Sequence, residues 1–294
     1  MLRALSPTLP RLGLGCLAFC LASGVVLAFY YRPAGNVFRN VEEITTLVPY
    51  GKLFRQLHYG SGQAFVLFML AHTLEHFFKK RYRTYSPGEW SRLVTAVGLC
   101  LLILFTGFVL KGDKEGIFAG RIFMNMLRAV PVAGEHLSRL FVRPGDHFFF
   151  LPYLHHCFLL PGVLVYLTRS HIRRWVPGAQ TIYLTGVGLV LFALLVPPRP
   201  ALPPEAPAPL VTGPWFFLGF QSLLKTAPPF WAGIMPPVFL FAGLLSSPSS
   251  RTPGAGDCTA CSSGSWRSMH CCACGPSWRG RKARGGLTKN PGFG

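Results

Sequence analysis

Apolar residues in this chain cluster into long runs broken by only a few polar residues. Six runs stand out, at about 12–31, 60–79, 93–111, 148–169, 180–197 and 230–247. A helix needs about 20 mostly apolar residues to cross a bilayer. The pattern therefore predicts an all-α integral membrane protein, a four-helix N-terminal bundle followed by about two further transmembrane helices. Residues 1–11 read as a short basic lead and 32–57 as an outer loop. Residues 112–147 read as a long outer connection, with an amphipathic stretch IFMNMLRAV ended by Pro131. Residues 198–214 are proline-rich and cannot form regular helix, because proline lacks the N–H that a helix interior needs. The first run passes straight into FYYRP with no small-residue cleavage site, so it reads as a retained helix, not a signal peptide.

Polar residues inside these runs carry the chemistry. His58 and His72 lie 14 residues apart, at the start of and within one run, and His156 and His171 lie 15 apart, within and just past another. On a helix these separations advance roughly 21 and 22.5 Å and return to within roughly 40–60° of the starting face. Each helix thus presents one imidazole near each end, on about one face. Two such helices side by side give two imidazole pairs at different depths, a scaffold for two bis-histidine hemes with the four histidines as axial iron ligands. Packing hydrogen bonds would explain a single such histidine equally well. Two matched pairs favour ligation. His155 is rotated roughly 160° from His171 and faces elsewhere. His76 overshoots the matched span and reads as an interfacial residue near a quinone. Pro161 kinks the second helix and absorbs the extra residue in its spacing. Arg55, one turn before His58, suits a propionate carboxylate or an interface position. Gly24 and Gly107 let a flat cofactor, or a neighbouring helix, approach the backbone.

Composition narrows the partners. Half of the 294 residues are hydrophobic and 13% are charged, which is too apolar for an ordinary soluble domain. The net charge of +19 is not a nucleic-acid signature, because the basic residues sit between and after the apolar runs. KKRYR (79–83), RSHIRR (169–174) and the Arg-rich tail all belong on the cytoplasmic side by the positive-inside rule, which places the N-terminus there too. His58 and His156 then lie toward the outer face, with His72 and His171 toward the inner face. Lipid is the surrounding solvent.

The tail from 249 is Ser, Gly, Arg and Cys without apolar periodicity. Cys258-x-x-Cys261 and Cys271-x-x-Cys274 suit a zinc or cluster site, or a disordered segment. Neither pair is followed by His, so c-type heme attachment is not signalled. Cys16, Cys20, Cys100 and Cys157 lie within the runs and read as small packing residues.

These residues resemble cytochrome b, the diheme membrane subunit of cytochrome bc complexes, and especially its split b–f form. The resemblance covers about residues 12–248. It is carried by FYYRP (29–33), GKLFRQLH (51–58), TGFVL (106–110), AVPVAG (129–134) and HCFLLP (156–161), and by GPWFF (213–217) at the position of the quinol-site motif. It implies a diheme domain over 1–178, the start of a companion-subunit-like part over 179–248, and a tail over 249–294. By the same resemblance, His58 with His156 hold an outer heme b and His72 with His171 an inner one. Quinol and quinone are the substrates, in a quinol oxidoreductase complex of the respiratory type.

The departures are specific. The family's Pro-Glu-Trp-Tyr corresponds here to Gly213, Pro214, Trp215 and Phe216, so its proton-accepting carboxylate is missing. Glu205, Asp113 and Glu115 are candidate catalytic replacements. The family's Pro-Trp after the third helix is Lys111-Gly112, its inner-side helix glycines are Pro10 and Leu93, and its extra-heme cysteine is Thr8. The implied setting is a bacterial inner membrane, with a Rieske-type or c-type cytochrome partner and a homodimer. Two rival readings stay open. One is a transmembrane heme reductase that works without a quinone cycle. The other is a non-enzymatic helical membrane subunit.

Overall fold

The computed structural model describes residues 2–145, 147–198, 200–207 and 211–246, with side chains described from residue 7 onward. The cysteine-rich tail, with both Cys-x-x-Cys pairs, lies outside the described residues. Every regular element among the described residues is helical. In order these are α1 (Leu2–Tyr30), α2 (Val37–Thr46), α3 (Gly51–Phe78), α4 (Pro87–Val109), α5 (Lys114–Arg128) and α6 (Gly134–Phe141). They are followed by α7 (Phe150–Ile172), α8 (Ala179–Leu195), α9 (Leu218–Leu223) and α10 (Phe230–Leu245). The described residues belong to one compact unit.

Three helices, over Pro7–Tyr30, Pro87–Val109 and Phe150–Ile172, are long and apolar enough to cross a membrane. Helix α3 is long enough at 28 residues, but Arg55, Gln56, His58, Gln63, His72, Glu75 and His76 lower its apolarity. Four of its polar groups point inward. Gln56, Ser61, His72 and His76 are buried, whereas Leu67, Leu74 and Phe78 are exposed. That inversion is what lipid demands, because polar groups cannot be left facing hydrocarbon. Helices α8 and α10 are shorter apolar helices. Large apolar side chains are exposed along α7, α8 and α10 as well, including Phe158, Tyr166, Leu184, Leu195 and Phe239.

The sequence reading differs from the structure in three places. The basic lead is helical, since α1 begins at Leu2 and runs through Pro7 and Pro10. The outer loop at 32–57 contains the whole of α2 and the first turns of α3. Short polar segments of this kind lack the long apolar runs that flag a spanning helix, yet α2 folds because Asn36 caps it and Val37, Val41 and Ile44 give it a buried face. The proposed amphipathic stretch at 122–130 is helical only as far as Arg128, and the helix, α5, starts earlier, at Lys114, where Asp113 caps it by accepting from the Gly116 N–H.

Helix α1 packs along α3, α3 along α4, and α4 along α7, while α8 lies against α1 and α3. Cys16, Phe65, Val66, Ala96, Cys100, Leu164 and Leu189 form the core where these five helices meet. A second core joins α4 to α5 and the Trp215–Phe217 turn through Phe105, Val109, Ala119, Met126 and Phe217. Hydrogen bonds tie in the later helices. Gln56 Nε2 donates to the Val196 carbonyl at 2.9 Å, and Trp90 Nε1 donates to the Leu244 carbonyl at 2.7 Å. A capping box of Ser86 and Glu89 starts α4, and Pro87 is tolerated in its first turn.

Pro161 acts through a widened turn. Residues His155–Leu159 form a π-helical turn, in which the Leu160 N–H bonds to the His155 carbonyl. The turn precedes Pro161, which cannot donate the next ladder bond. One residue is thereby taken out of the helical rotation. The 15-residue spacing then leaves His156 and His171 about 40° apart, as a 14-residue spacing does on a regular helix. A second π-turn, Phe230–Ile234, precedes Pro236 and Pro237 in the same manner.

Candidate functional site

The packing of α3 along α4, and of α4 along α7, brings the four histidines together in pairs. His58 and His156 have ring centroids 5.9 Å apart at an interplanar angle of 83°. His72 and His171 have centroids 6.0 Å apart at 51°. Two imidazoles bound to one metal from opposite sides, at about 2 Å per nitrogen–metal bond, have centroids about 6 Å apart. Both pairs meet that spacing.

The first pair is held by two glycines in equivalent ways. The Nδ1 of His58 lies 2.9 Å from the Cys20 carbonyl of α1, and the Nδ1 of His156 lies 3.0 Å from the Ile103 carbonyl of α4. Each carbonyl belongs to the residue four before a glycine, Gly24 or Gly107. A Cβ on Gly24 would sit 2.9 Å from His58 Cε1, and one on Gly107 would sit 2.6 Å from His156 Cε1. The absent side chain exposes the helix carbonyl, which has a second lone pair for the imidazole N–H. The close approach expected at these glycines is thus made by the histidine rings. With Nδ1–H donating to a carbonyl, Nε2 keeps its lone pair for a metal.

Sequence reasoning missed several neighbours. Cys20 Sγ and Ser23 Oγ lie 3.6 and 3.5 Å from His58 Nδ1, and Thr106 Oγ1 lies 3.4 Å from His156 Nδ1. Cys20 is one helical turn before Gly24, which is the signal that would have placed it on this face. His155 turns away, with its ring stacked on Phe141 at 5.1 Å.

The second pair has a larger company. His76 is buried among protein groups, 6% exposed, and lies 4.3 Å from His72 and 6.4 Å from His171. The one-turn offset that reads as an overshoot along the helix axis keeps it on the same face as His72, and α7 and Tyr85 cover both. Trp175 lies 5.8 Å from His72, and Tyr85 lies 6.1 Å from His171. Burial raises the Tyr85 phenol above its usual value, against the pull of Arg174 and Arg81, so it stays protonated at neutral pH.

These residues fit heme. Neither ring nitrogen of buried His72 has a hydrogen-bond partner, and an orphaned buried imidazole needs one. Among the described residues no three His, Cys, Asp or Glu side chains converge on one point. Two protein donors per site suit a metal whose remaining ligands come from a chelating macrocycle.

The other candidates are engaged elsewhere. Arg55 donates to Thr45 Oγ1 at 2.6 Å and faces Glu42 at 3.7 Å, bracing α3 on α2. Asp113 is 1% exposed, with one oxygen capping α5 and the other 2.7 Å from Lys111 Nζ. Glu115 meets the same lysine at 3.1 Å. Glu205 is exposed, on a turn held against α5 where the Lys114 N–H bonds to the Leu202 carbonyl and its ammonium to the Ala206 carbonyl. Gly112 has φ +68°, and a Cβ there would lie 2.8 Å from the Phe38 N, so this turn requires glycine. Trp215 Nε1 donates to Gln63 Oε1 at 2.7 Å, which holds the Gly213–Phe216 segment on α3.

Residues 8–174, more than half of the chain, match the family model described as Cytochrome b/b6/petB. The chain belongs to the cytochrome b family. It is therefore a membrane-embedded, heme b-binding electron-transport protein of the kind found in cytochrome bc-type complexes. Cytochrome b of Mycosarcoma maydis is 27% identical over 82% of this chain and 71% of its own length. Cytochrome b6 of Synechococcus sp. is 31% identical over 53% of this chain and 74% of its own. The menaquinol:cytochrome c reductase cytochrome b subunit of Geobacillus thermodenitrificans is 26% identical over 51% and 70%. A hyperthermophilic respiratory Complex III chain shares the fold, with a TM-score of 0.62 and 19% identity over 81% of this chain and 74% of that one.

Proposed function

We propose that this cytochrome b family member binds two b-type hemes, His58 with His156 toward the outer face and His72 with His171 toward the inner face. Electrons pass through them across the membrane, between a quinone pool and partner redox subunits. The observation that carries this reading is the pair of imidazole–imidazole spacings, 5.9 and 6.0 Å, built by α3 and α7 at two depths. Bound heme supplies the one-electron chemistry, and the protein supplies binding, orientation and electrostatics.

The chain's own part is orientation and exclusion of water. The Cys20 and Ile103 carbonyls fix the tautomer and tilt of His58 and His156. Tyr85 and Trp175 wall the second pair. Arg55 reaches the same end of α3 as His58 and becomes a propionate partner if it leaves Glu42. Of the three carboxylates proposed for quinol deprotonation, Asp113 is spent on its cap and its lysine, and Glu115 on that lysine. Glu205 meets no basic side chain within ion-pair distance among the described residues, which makes it the best placed of the three.

The N-terminus is read as cytoplasmic, from the basic loops after α3 and α7, in a bacterial inner membrane. Residues 1–178 form the diheme part, and 179–248 correspond to the start of a companion subunit. A Rieske-type or c-type cytochrome accepts electrons at the outer face, and a second copy of the chain and lipid complete the surroundings.

Pyridine hemochrome analysis of the detergent-solubilised chain tests the reading. Two b hemes per chain are expected, and one in each of His156→Ala and His171→Ala. Absence of stoichiometric heme, unchanged by either substitution, would refute it in favour of a helical subunit with packing histidines. The altered Gly213–Phe216 segment favours one second reading, a heme reductase without a quinone cycle. Heme reduction that persists under quinol-site inhibitors would select it.

A further inference from the structure

The first imidazole pair is exclusive and the second is not. His58 faces His156 alone, because His155 lies flat on Phe141. On the other side, His171 faces two imidazoles of α3, His72 at 6.0 Å and His76 at 6.4 Å. Both distances suit two rings sharing one metal, at about 6 Å. The two α3 rings are one turn apart on one helix face and 4.3 Å from each other.

Orientation also favours His76. Its Nδ1 lies 3.3 Å from the His72 carbonyl, so Nδ1–H donates and Nε2 keeps its lone pair. The ligand histidines of the first pair use their Nδ1 atoms in the same way. His72 lacks any such partner on either nitrogen. The aromatic walls serve both alignments, since Tyr85 is 6.2 Å from His76 and 6.1 Å from His171, and Trp175 is 5.8 Å from His72.

We propose that His76 is a second axial ligand on this side, able to replace His72 opposite His171 at the heme iron. The site therefore has two ligand sets, with His171 common to both, whereas the first pair has one. This inference rests on the diheme reading above.

The test compares His72→Ala, His76→Ala, the double variant and His58→Ala, purified as the full chain in detergent. Heme is counted by pyridine hemochrome, and ferric spin state is read by low-temperature electron paramagnetic resonance. Each single variant at 72 or 76 is expected to keep two low-spin b hemes, with the His72→Ala signal shifted from wild type. The double variant is expected to keep one, its first-pair signal unchanged as evidence of folding. His58→Ala is expected to keep one. Loss of a heme, or a five-coordinate high-spin signal, in His72→Ala with the first-pair signal intact would overturn the proposal. Two retained hemes in the double variant would overturn it equally. A wild-type chain with fewer than two hemes is a different result, and it refutes the diheme reading itself.

Discussion

Gly107→Ala is the sharpest probe of the first pair. The new Cβ would sit 2.6 Å from His156 Cε1, 3.1 Å from Nδ1 and 3.2 Å from Nε2, against the Nδ1–Cε1–Nε2 edge of the ring. Ordinary carbon–carbon contact begins near 3.5 Å, so the ring must retreat by about 0.9 Å. It is tethered to the Ile103 carbonyl at 3.0 Å and cannot retreat without stretching that bond. Metal–ligand distances tolerate only about 0.2 Å. Overpacking of this kind costs about 1–3 kcal/mol. The expected outcome is loss of the heme at His58–His156, with the heme at His72–His171 retained. Gly24→Ala, with its Cβ 2.9 Å from His58 Cε1, should show a milder form of the same defect. Gly162→Ala is the control. It lies in α7 with nothing within 4 Å of its Cβ, and a helix-interior Gly→Ala change favours the helix by about 1 kcal/mol. Hemochrome stoichiometry and the low-spin spectrum decide the matter. Two hemes and a wild-type spectrum in Gly107→Ala would refute the glycine argument.

The π-turn makes a register prediction. Deleting Phe158 should remove the widened turn and keep both hemes, while inserting one alanine after Gly162 should turn His171 by about 100° and lose one heme, as read by hemochrome. Trp90→Phe removes the bond to the Leu244 carbonyl, so thermal unfolding in detergent should show a loss of about 0.5–1.5 kcal/mol. Asp113→Ala should destabilise the α5 start by about 1 kcal/mol in the same assay, and Asp113→Asn, which keeps an acceptor for the Gly116 N–H, should recover most of it. Glu205→Gln should slow quinol oxidation while leaving heme content unchanged; an unchanged rate would remove Glu205 from the outer site.

The apolar runs and the paired histidines settle the class of this protein before any folding is considered. A membrane span needs length and apolarity, and both are properties of a contiguous stretch, so α1, α4 and α7 are legible by inspection. Helical periodicity is equally local. The spacings of His58 with His72 and His156 with His171 therefore fix a shared face without knowledge of the partner helix.

What lies beyond is decided between segments. Helix α2 has no long run to announce it, and its burial depends on what it covers. Gly24 and Gly107 stand out in sequence only as small residues. Tertiary packing makes them the openings through which His58 and His156 reach the Cys20 and Ile103 carbonyls. The candidate carboxylates at 113 and 115 look equivalent to any acid near an outer turn until Lys111 is found between them. His76 is the clearest case. Distance along the helix axis set it apart from His72, but α7 and Tyr85 close over both rings, because burial is a property of the neighbours a side chain meets and no single segment contains them.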